Sequence, residues 1–278
     1  MAKHLRLFFL LPLLLTLAGC GSTISSRTNL AADIAADRLP IHDTLKAYDF
    51  SLPVYARVKE KGGTARVYIE GDGLAWLGRH EPSRNPTPTN PVALRLAARD
   101  PSPNVIWIAR PCQYEGFSAA CAAEYWTSKR FAAEVVFAYM EALDSLKQTY
   151  GVTGFELVGF SGGGAIATLL TQRRGDVLSL RTVAGNLDIE AFNRLHGVSP
   201  MPLSLNPRDV AAKIAHIPQM HFTGGKDDII PQSIYDGYAI AVRNAACLHH
   251  AVVAEASHEK GWDDAWPRLL AYPLNCAP

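Results

Sequence analysis

A mostly parallel central sheet with helices on both faces is the α/β arrangement this chain predicts, and three observations predict it. From about residue 45, short β-branched and aromatic runs alternate with longer stretches of helical periodicity, the pattern of βαβ units. The apolar run "FELVGF" passes straight into glycines and then "AIATLLTQ", a strand turning sharply into a helix. The 278 residues, 48% apolar and 19% charged, suffice to bury a core of that size.

Each element has its own signal. "YDFSLPVYARV" reads as a first strand region, "ARVYIEG" as a compact strand ending in glycine, and "NVIWIARP" as a third strand. Between Ser128 and Tyr150, apolar positions recur at Phe131, Val135, Tyr139, Leu143 and Leu146. Those steps of three and four predict a helix, with Ser128 as N-cap and "YGVTG" as its stop. "FELVGF" is the next strand and Gly162 to about Arg174 the next helix. "LSLRTVAG", "IPQMHFTG" and "HHAVVAEA" follow as strands, and "GWDDAWPRLLAY" closes the chain as a helix bent at Pro267. Residues 78–103, rich in proline, read as a long loop and 187–216 as a second insertion; both fall where substrate walls commonly lie. No internal repeat is visible.

The first twenty residues read as a targeting segment. Lys3 and Arg6 precede an apolar run of 11 residues, Leu7 to Leu17, short of the roughly 20 that span a bilayer. "LAGC" at 17–20 resembles the lipobox of bacterial lipoproteins, which implies cleavage after residue 19 and acylation of Cys20. Acyl chains worth ~0.8 kcal/mol per buried CH₂ would then anchor the protein in a lipid bilayer of the cell envelope. Gly21, with no aspartate there, fits outer-membrane export. The alternative is an ordinary secretory peptide. Residues 20–44 read as tether and N-terminal segment, and 45–278 as the folded domain. The formal charge is +1 over the full chain; with no basic stripe on any predicted helix, nothing points to nucleic acid.

Four further cysteines, Cys112, Cys121, Cys247 and Cys276, are an even number in an exported chain and suggest disulfides. Proximity in sequence favours Cys112 with Cys121 and Cys247 with Cys276; free buried thiols are the alternative. None has CxxC spacing, and no metal cluster or cofactor motif is visible.

The chemistry centres on "GFSGG", Gly159 to Gly163, a G-x-S-x-G pattern between strand and helix. Such a turn strains the serine backbone and lifts its Oγ above the sheet edge, at a helix N-terminus that favours developing negative charge. The competing reading is a glycine-rich helix entry, though the Walker lysine is absent. A serine needs a base, and the base an orienting acid. "HFTGGKDDIIP" offers Asp227 after a strand, with Asp228 second and one of the pair free to cap a helix. "AEASHEKGW" places His258 in a loop after the last strand. The other histidines fit less well. His249 and His250 precede that strand, His221 lies inside one, and His42, His80, His196 and His216 read as surface residues in loops or irregular segments.

An oxyanion needs donors. The N–H of Gly162 is one, and the loop "EGDG" after the strand Val67 to Ile69 supplies the N–H of Asp72 or Gly73. A plain Asp-Gly turn is the alternative there. Anions beside an oxyanion oppose the chemistry, so Glu70 and Asp72 should point away, pairing with Arg110 or capping a helix. Trp76, Tyr114 and Trp126 are candidates for pocket walls or for plain core.

Together "GFSGG", "GGKDDIIP" and "EASHEKGW" resemble the α/β-hydrolase superfamily over roughly residues 45–272, and "YIEGDGLAW", "RPCQY" and "AGNLD" a bacterial subgroup of exported hydrolases. The resemblance implies the α/β-hydrolase fold and a triad of Ser161, Asp227 and His258 acting without cofactor on a small-molecule or lipid ester. Peptidase, acyltransferase and non-catalytic envelope functions use the same fold, and oligomeric state is left open.

Overall fold

A computed structural model of the chain describes residues 23–276. The signal segment, Cys20 and Gly21 lie outside them. Eight strands form one sheet: β1 (Ile41–Ala47), β2 (Phe50–Val58), β3 (Thr64–Ile69), β4 (Asn104–Ile108), β5 (Gly154–Phe160), β6 (Val177–Val183), β7 (Gln219–Gly224) and β8 (Leu248–Val253). Their order across the sheet is β1-β2-β4-β3-β5-β6-β7-β8. Only β2 runs against the rest: it pairs antiparallel with β1 and β4, and every pairing from β4 to β8 is parallel.

The central strands are buried on both faces, as parallel strands between helices must be. Alternation sorts their side chains. Ala65, Val67 and Ile69 of β3 and Phe155 and Leu157 of β5 face one core. That core is closed by α3 (Ala133–Tyr150) and α4 (Gly162–Arg173). Tyr68, Trp107, Val158 and Phe160 face the other, closed by α1 (Ile24–Ala35), α2 (Val92–Arg99) and α7 (Trp266–Leu270). α5 (Ile189–His196) and α6 (Gln232–Val242) complete the helices.

Several elements differ from the sequence reading. From Ile24 the segment read as tether is a helix, capped by the Thr23 side chain accepting from Ser26 N–H and burying Ala31 and Ala35. Alanine has too little apolar area to show as periodicity. The residues 78–103 are not one loop. A ribbon pairs Trp76–Gly78 with Glu81–Pro82, and Val92–Arg99 is helical with Leu94, Leu96 and Ala97 buried. Its N-terminal amides are capped by Glu70, more than twenty residues away, which accepts from Ala93 and Leu94 N–H; no local motif could announce that. The long helix starts at Ala133 rather than after Ser128, and ends at Gly151 in the left-handed conformation (φ 65°), the usual glycine stop. Pro267 does not bend the closing helix. That helix begins at Trp266, with proline in its first turn, where proline costs no hydrogen bond.

Cys112–Cys121 and Cys247–Cys276 are disulfide-bonded. The first closes the loop after β4, and the second ties the C-terminal segment to the start of β8. Among the described residues no helix is long and apolar enough to cross a membrane.

Candidate active site

Strand β5 sits between β3 and β6 and delivers Ser161 at its C-terminal edge. Ser161 has φ 50° and ψ −118°, a region that costs a non-glycine residue ~1–3 kcal/mol and persists only when its surroundings enforce it. They do. Its N–H donates to Val183 O at 3.0 Å, and its carbonyl accepts from Gly164 and Asn186 N–H, both at 3.0 Å. Two of the glycines answer to close approach. A Cβ on Gly159 would lie 2.3 Å from Gly163 O, and one on Gly163 would lie 2.2 Å from Ile69 O. The start of α4 is thus pressed against both its own strand and the end of β3.

Asp227 and His258 come to the same edge. Asp227, in the turn after β7, is buried. Its Oδ1 accepts from Ile229 and Ile230 N–H at 2.9 and 2.8 Å, and its Oδ2 lies 3.0 Å from His258 Nδ1. A carboxylate can only accept, so Nδ1 carries the proton and donates. That leaves Nε2 bare, 3.0 Å from Ser161 Oγ, where it accepts the hydroxyl proton. Phe160 packs on the imidazole, ring centres 5.2 Å apart. Below it the fully buried Trp262 donates from Nε1 to Ser257 O and His258 O at 2.9 and 3.0 Å. Asp228 is exposed and makes no hydrogen bond to the imidazole. Neither aspartate caps a helix: α6 starts after Pro231.

The loop after β3 faces the start of α4. The amide N–H groups of Gly162, Asp72 and Gly73 have no hydrogen-bond partner among the described residues, so all three expected donors are unspent. Gln113 Nε2 braces the loop by donating to Gly71 O and Pro86 O at 3.0 and 3.3 Å. Both carboxylates are occupied elsewhere. Glu70 accepts from Gly71, Ala93 and Leu94 N–H and from Trp107 Nε1; burial, working against those bonds, raises its pKa. Asp72 takes Arg110 Nη1 on Oδ1 at 2.7 Å and Arg130 Nε beside Oδ2 at 3.1 Å. Its carboxyl lies so close to Gly162 that a Cβ there would meet Oδ1 at 2.1 Å.

Ser161 and His258 open onto a cavity of about 920 Å³. Trp76, Phe192 and Met201 give its wall an apolar part, Arg130 and Asn186 a polar one. Both insertions contribute. Tyr114 and Trp126 do not line it. Tyr114 packs edge-on against Trp107 inside the core, and Trp126 is buried, donating to Ser83 O. His80 is exposed, as the surface reading has it, and borders the cavity; His196 differs from that reading, being half-buried at the end of α5, lining the cavity and donating from Nε2 to Ile229 O. His42 belongs to β1, paired with Glu115. His249 and His250 belong to β8, at its start. His221 is packed inside β7, bonded to Thr182 and Gln219. Sequence reading missed Arg130, Asn186 and Gln113. Gln113 and Asn186 follow β4 and β6 by a few residues, inside the strings "RPCQY" and "AGNLD", which carried no assigned role, and Arg130 lies in the turns before α3; only the fold brings Arg130 and Asn186 to the cavity and Gln113 to the loop after β3. Among the described residues no group of three or more His, Cys, Asp or Glu could hold a metal ion.

No family model and no curated protein matches the chain. Solved structures do. An acylaminoacyl peptidase from Pyrococcus horikoshii superposes with TM-score 0.60 at 11% identity, over 83% of this chain and 39% of that one. An esterase from Pyrococcus furiosus gives 0.62 at 10% identity, over 84% and 91%. An alpha-beta serine hydrolase homologue from Coxiella burnetii gives 0.55 at 16%, over 83% and 93%. The chain thus spans about two fifths of the peptidase's length. With the strand order above, these likenesses establish the α/β-hydrolase fold.

Proposed function

We propose that the protein is a serine hydrolase that cleaves carboxylic esters through an acyl-enzyme on Ser161. One observation carries this reading: the His258 imidazole bridges Ser161 Oγ and Asp227 Oδ2 at 3.0 Å each, at the mouth of a cavity. His258 takes the serine proton as Oγ attacks the acyl carbonyl. Asp227 fixes the tautomer and stabilises the imidazolium that forms. The new oxyanion falls to Gly162 N–H and to Asp72 or Gly73 N–H, each such donor worth ~3 kcal/mol at the transition state. His258 then returns the proton to the departing alcohol and activates the water that releases the acid.

Ester cleavage is the reading we put first, an ester being the easier acyl group for such a serine to cleave; the esterase and the peptidase, at 10% and 11% identity, support the fold alike. Peptidase or amidase action and acyl transfer to an alcohol use the same three residues and are the alternatives. A non-catalytic envelope module would have no use for a strained serine hydrogen-bonded to an imidazole. The decisive experiment is labelling with a fluorophosphonate. Wild type should react and Ser161→Ala should not; equal labelling of both, or of neither, removes the enzymatic reading. Faster turnover of acyl amides than of matched esters would reassign the protein as an amidase.

We propose further that the enzyme is held on the bacterial envelope, in the outer membrane, through acylated Cys20 after removal of residues 1–19. The support is the lipobox-like "LAGC". Cys20→Ser should move the protein from the membrane to the soluble fraction; unchanged membrane retention would remove the anchor.

A further inference from the structure

The wall of the cavity carries a cation that is paired through one nitrogen only. Asp72 is flanked by two guanidinium groups, those of Arg110 and Arg130. Arg110 uses both terminal nitrogens, Nη1 donating to Asp72 Oδ1 and Nη2 to the Arg130 carbonyl, and leaves only its buried Nε without a partner. That pair neutralises Asp72. Arg130 is 7% exposed and lines the cavity, touching Asp72 through Nε only. Its two terminal nitrogens have no hydrogen-bond partner among the described residues. The guanidinium is held in place all the same, lying 5.1 Å from the centre of the Phe131 ring and 5.6 Å from that of Phe192. A second group points the same way. Asn186 is 2% exposed, lines the cavity, and its Oδ1 is buried with no partner. Buried polar atoms are rarely left unpaired without a reason, and here a guanidinium with unpaired terminal nitrogens and a buried, unpaired acceptor belong to one cavity wall.

We propose that Arg130 is a specificity residue and that the ester cleaved at Ser161 carries a carboxylate. The assignment rests on the hydrolase reading above and adds to it the substrate class. A planar guanidinium with both terminal nitrogens free matches a carboxylate in the two-pronged manner. The Asp72 carboxyl touches both Gly162 and Arg130, so the bound anion sits close to the scissile carbonyl, as in a half-ester of a short dicarboxylic acid. The nearby charges are Glu70, held by four donors of its own, Arg79 and Glu259 on the rim, and His80, His196 and His258. None of them pairs with Arg130.

Two measurements test this. The first is the ratio of kcat/KM for p-nitrophenyl hemiglutarate to that for p-nitrophenyl valerate, which carries no charge. Charge-assisted hydrogen bonds predict a ratio of about tenfold to a hundredfold in wild type, falling to within about threefold of unity in Arg130→Gln and partly recovered in Arg130→Lys. A wild-type ratio at or below one, or a ratio unchanged in Arg130→Gln, overturns the proposal. The second needs no catalysis. Free glutarate should raise the Tm of wild type, and should not raise that of Arg130→Gln relative to its own baseline. Equal shifts, or none in wild type, overturn it as well. Fluorophosphonate labelling of Ser161 in the same preparations separates the two failures: a labelled protein without preference loses only the carboxylate, and an unlabelled one loses the hydrolase reading.

Discussion

Gly163→Ala puts the closest contact of the site to the test. The added Cβ would lie 2.2 Å from Ile69 O, 2.6 Å from Glu70 O and 2.8 Å from Ile69 C. All three are backbone atoms at the end of β3, which is pinned by pairing of Ile69 with Ile108 and Gly159 and by Glu70 N–H on Ile108 O. Real Cβ contacts do not fall below 3.0 Å, so α4 and β3 must part by about 0.8 Å. Overpacking of this kind costs ~1–3 kcal/mol, a fall in Tm of roughly 2–12 °C for a domain of this size. The larger effect is on chemistry. The movement separates Gly162 N–H from the Asp72–Gly73 loop, and a 1 Å misplacement costs on the order of 10²-fold in rate. Differential scanning calorimetry and the rate of fluorophosphonate labelling read the two effects. Gly175→Ala is the control, since nothing lies within 4 Å of a Cβ there. A Gly163→Ala protein with wild-type Tm and wild-type labelling rate would refute the close approach and the donor pair built on it.

Two further predictions follow from named contacts. Asp227→Asn keeps the shape but loses the tautomer control of His258, so turnover should fall ~10³–10⁴-fold. Asp228→Asn, on an exposed side chain, should change it by no more than about twofold, and the reverse ranking would reassign the acid. His221 should set part of the acid limb of stability. Burial, with a smaller contribution from the charge of His250, pushes its pKa down to about 3 from 6.5. The unfolded chain therefore binds this proton below pH 6.5 while the folded one refuses it until about pH 3. Stability from the neutral ring is complete above pH 6.5 and declines as pH falls through that window. Thermal melts from pH 7 to 4 should show a shallower decline in His221→Gln than in wild type; equal slopes would show that the ring does not titrate there.

The sequence showed most of the sheet and very little of the pocket, for one physical reason. Buried parallel strands such as β4 and β5 are apolar on both faces, so residues 104–108 and 154–160 stand out locally. Ser161, Asp227 and His258 stand out because each follows such a strand directly, at the sheet edge where the chain must turn. α1 escaped because it packs by alanine, and α2 because its cap, Glu70, is remote in sequence. Arg130 lies in turns before α3, with no period to mark it. What places it is the pairing of Asp72 with two arginines from separate segments, a tertiary fact that spacing cannot encode.

The loop from Glu70 to Gly73 carries two anions beside the N–H groups proposed above to stabilise a third. Coulomb repulsion between close charges in low dielectric reaches several kcal/mol, enough to cancel an oxyanion donor. The chain separates the roles by atom. The Glu70 side chain turns away into α2, where four donors hold it. Asp72 directs its carboxyl at Arg110 and Arg130 and leaves its own N–H unspent. With two guanidinium charges against one carboxylate, the local sum beside Gly162 is positive. Arg110 is therefore as necessary as the donors themselves: in Arg110→Met, Arg130 would be drawn fully onto Asp72, and both the oxyanion site and the preference for a charged ester should weaken together.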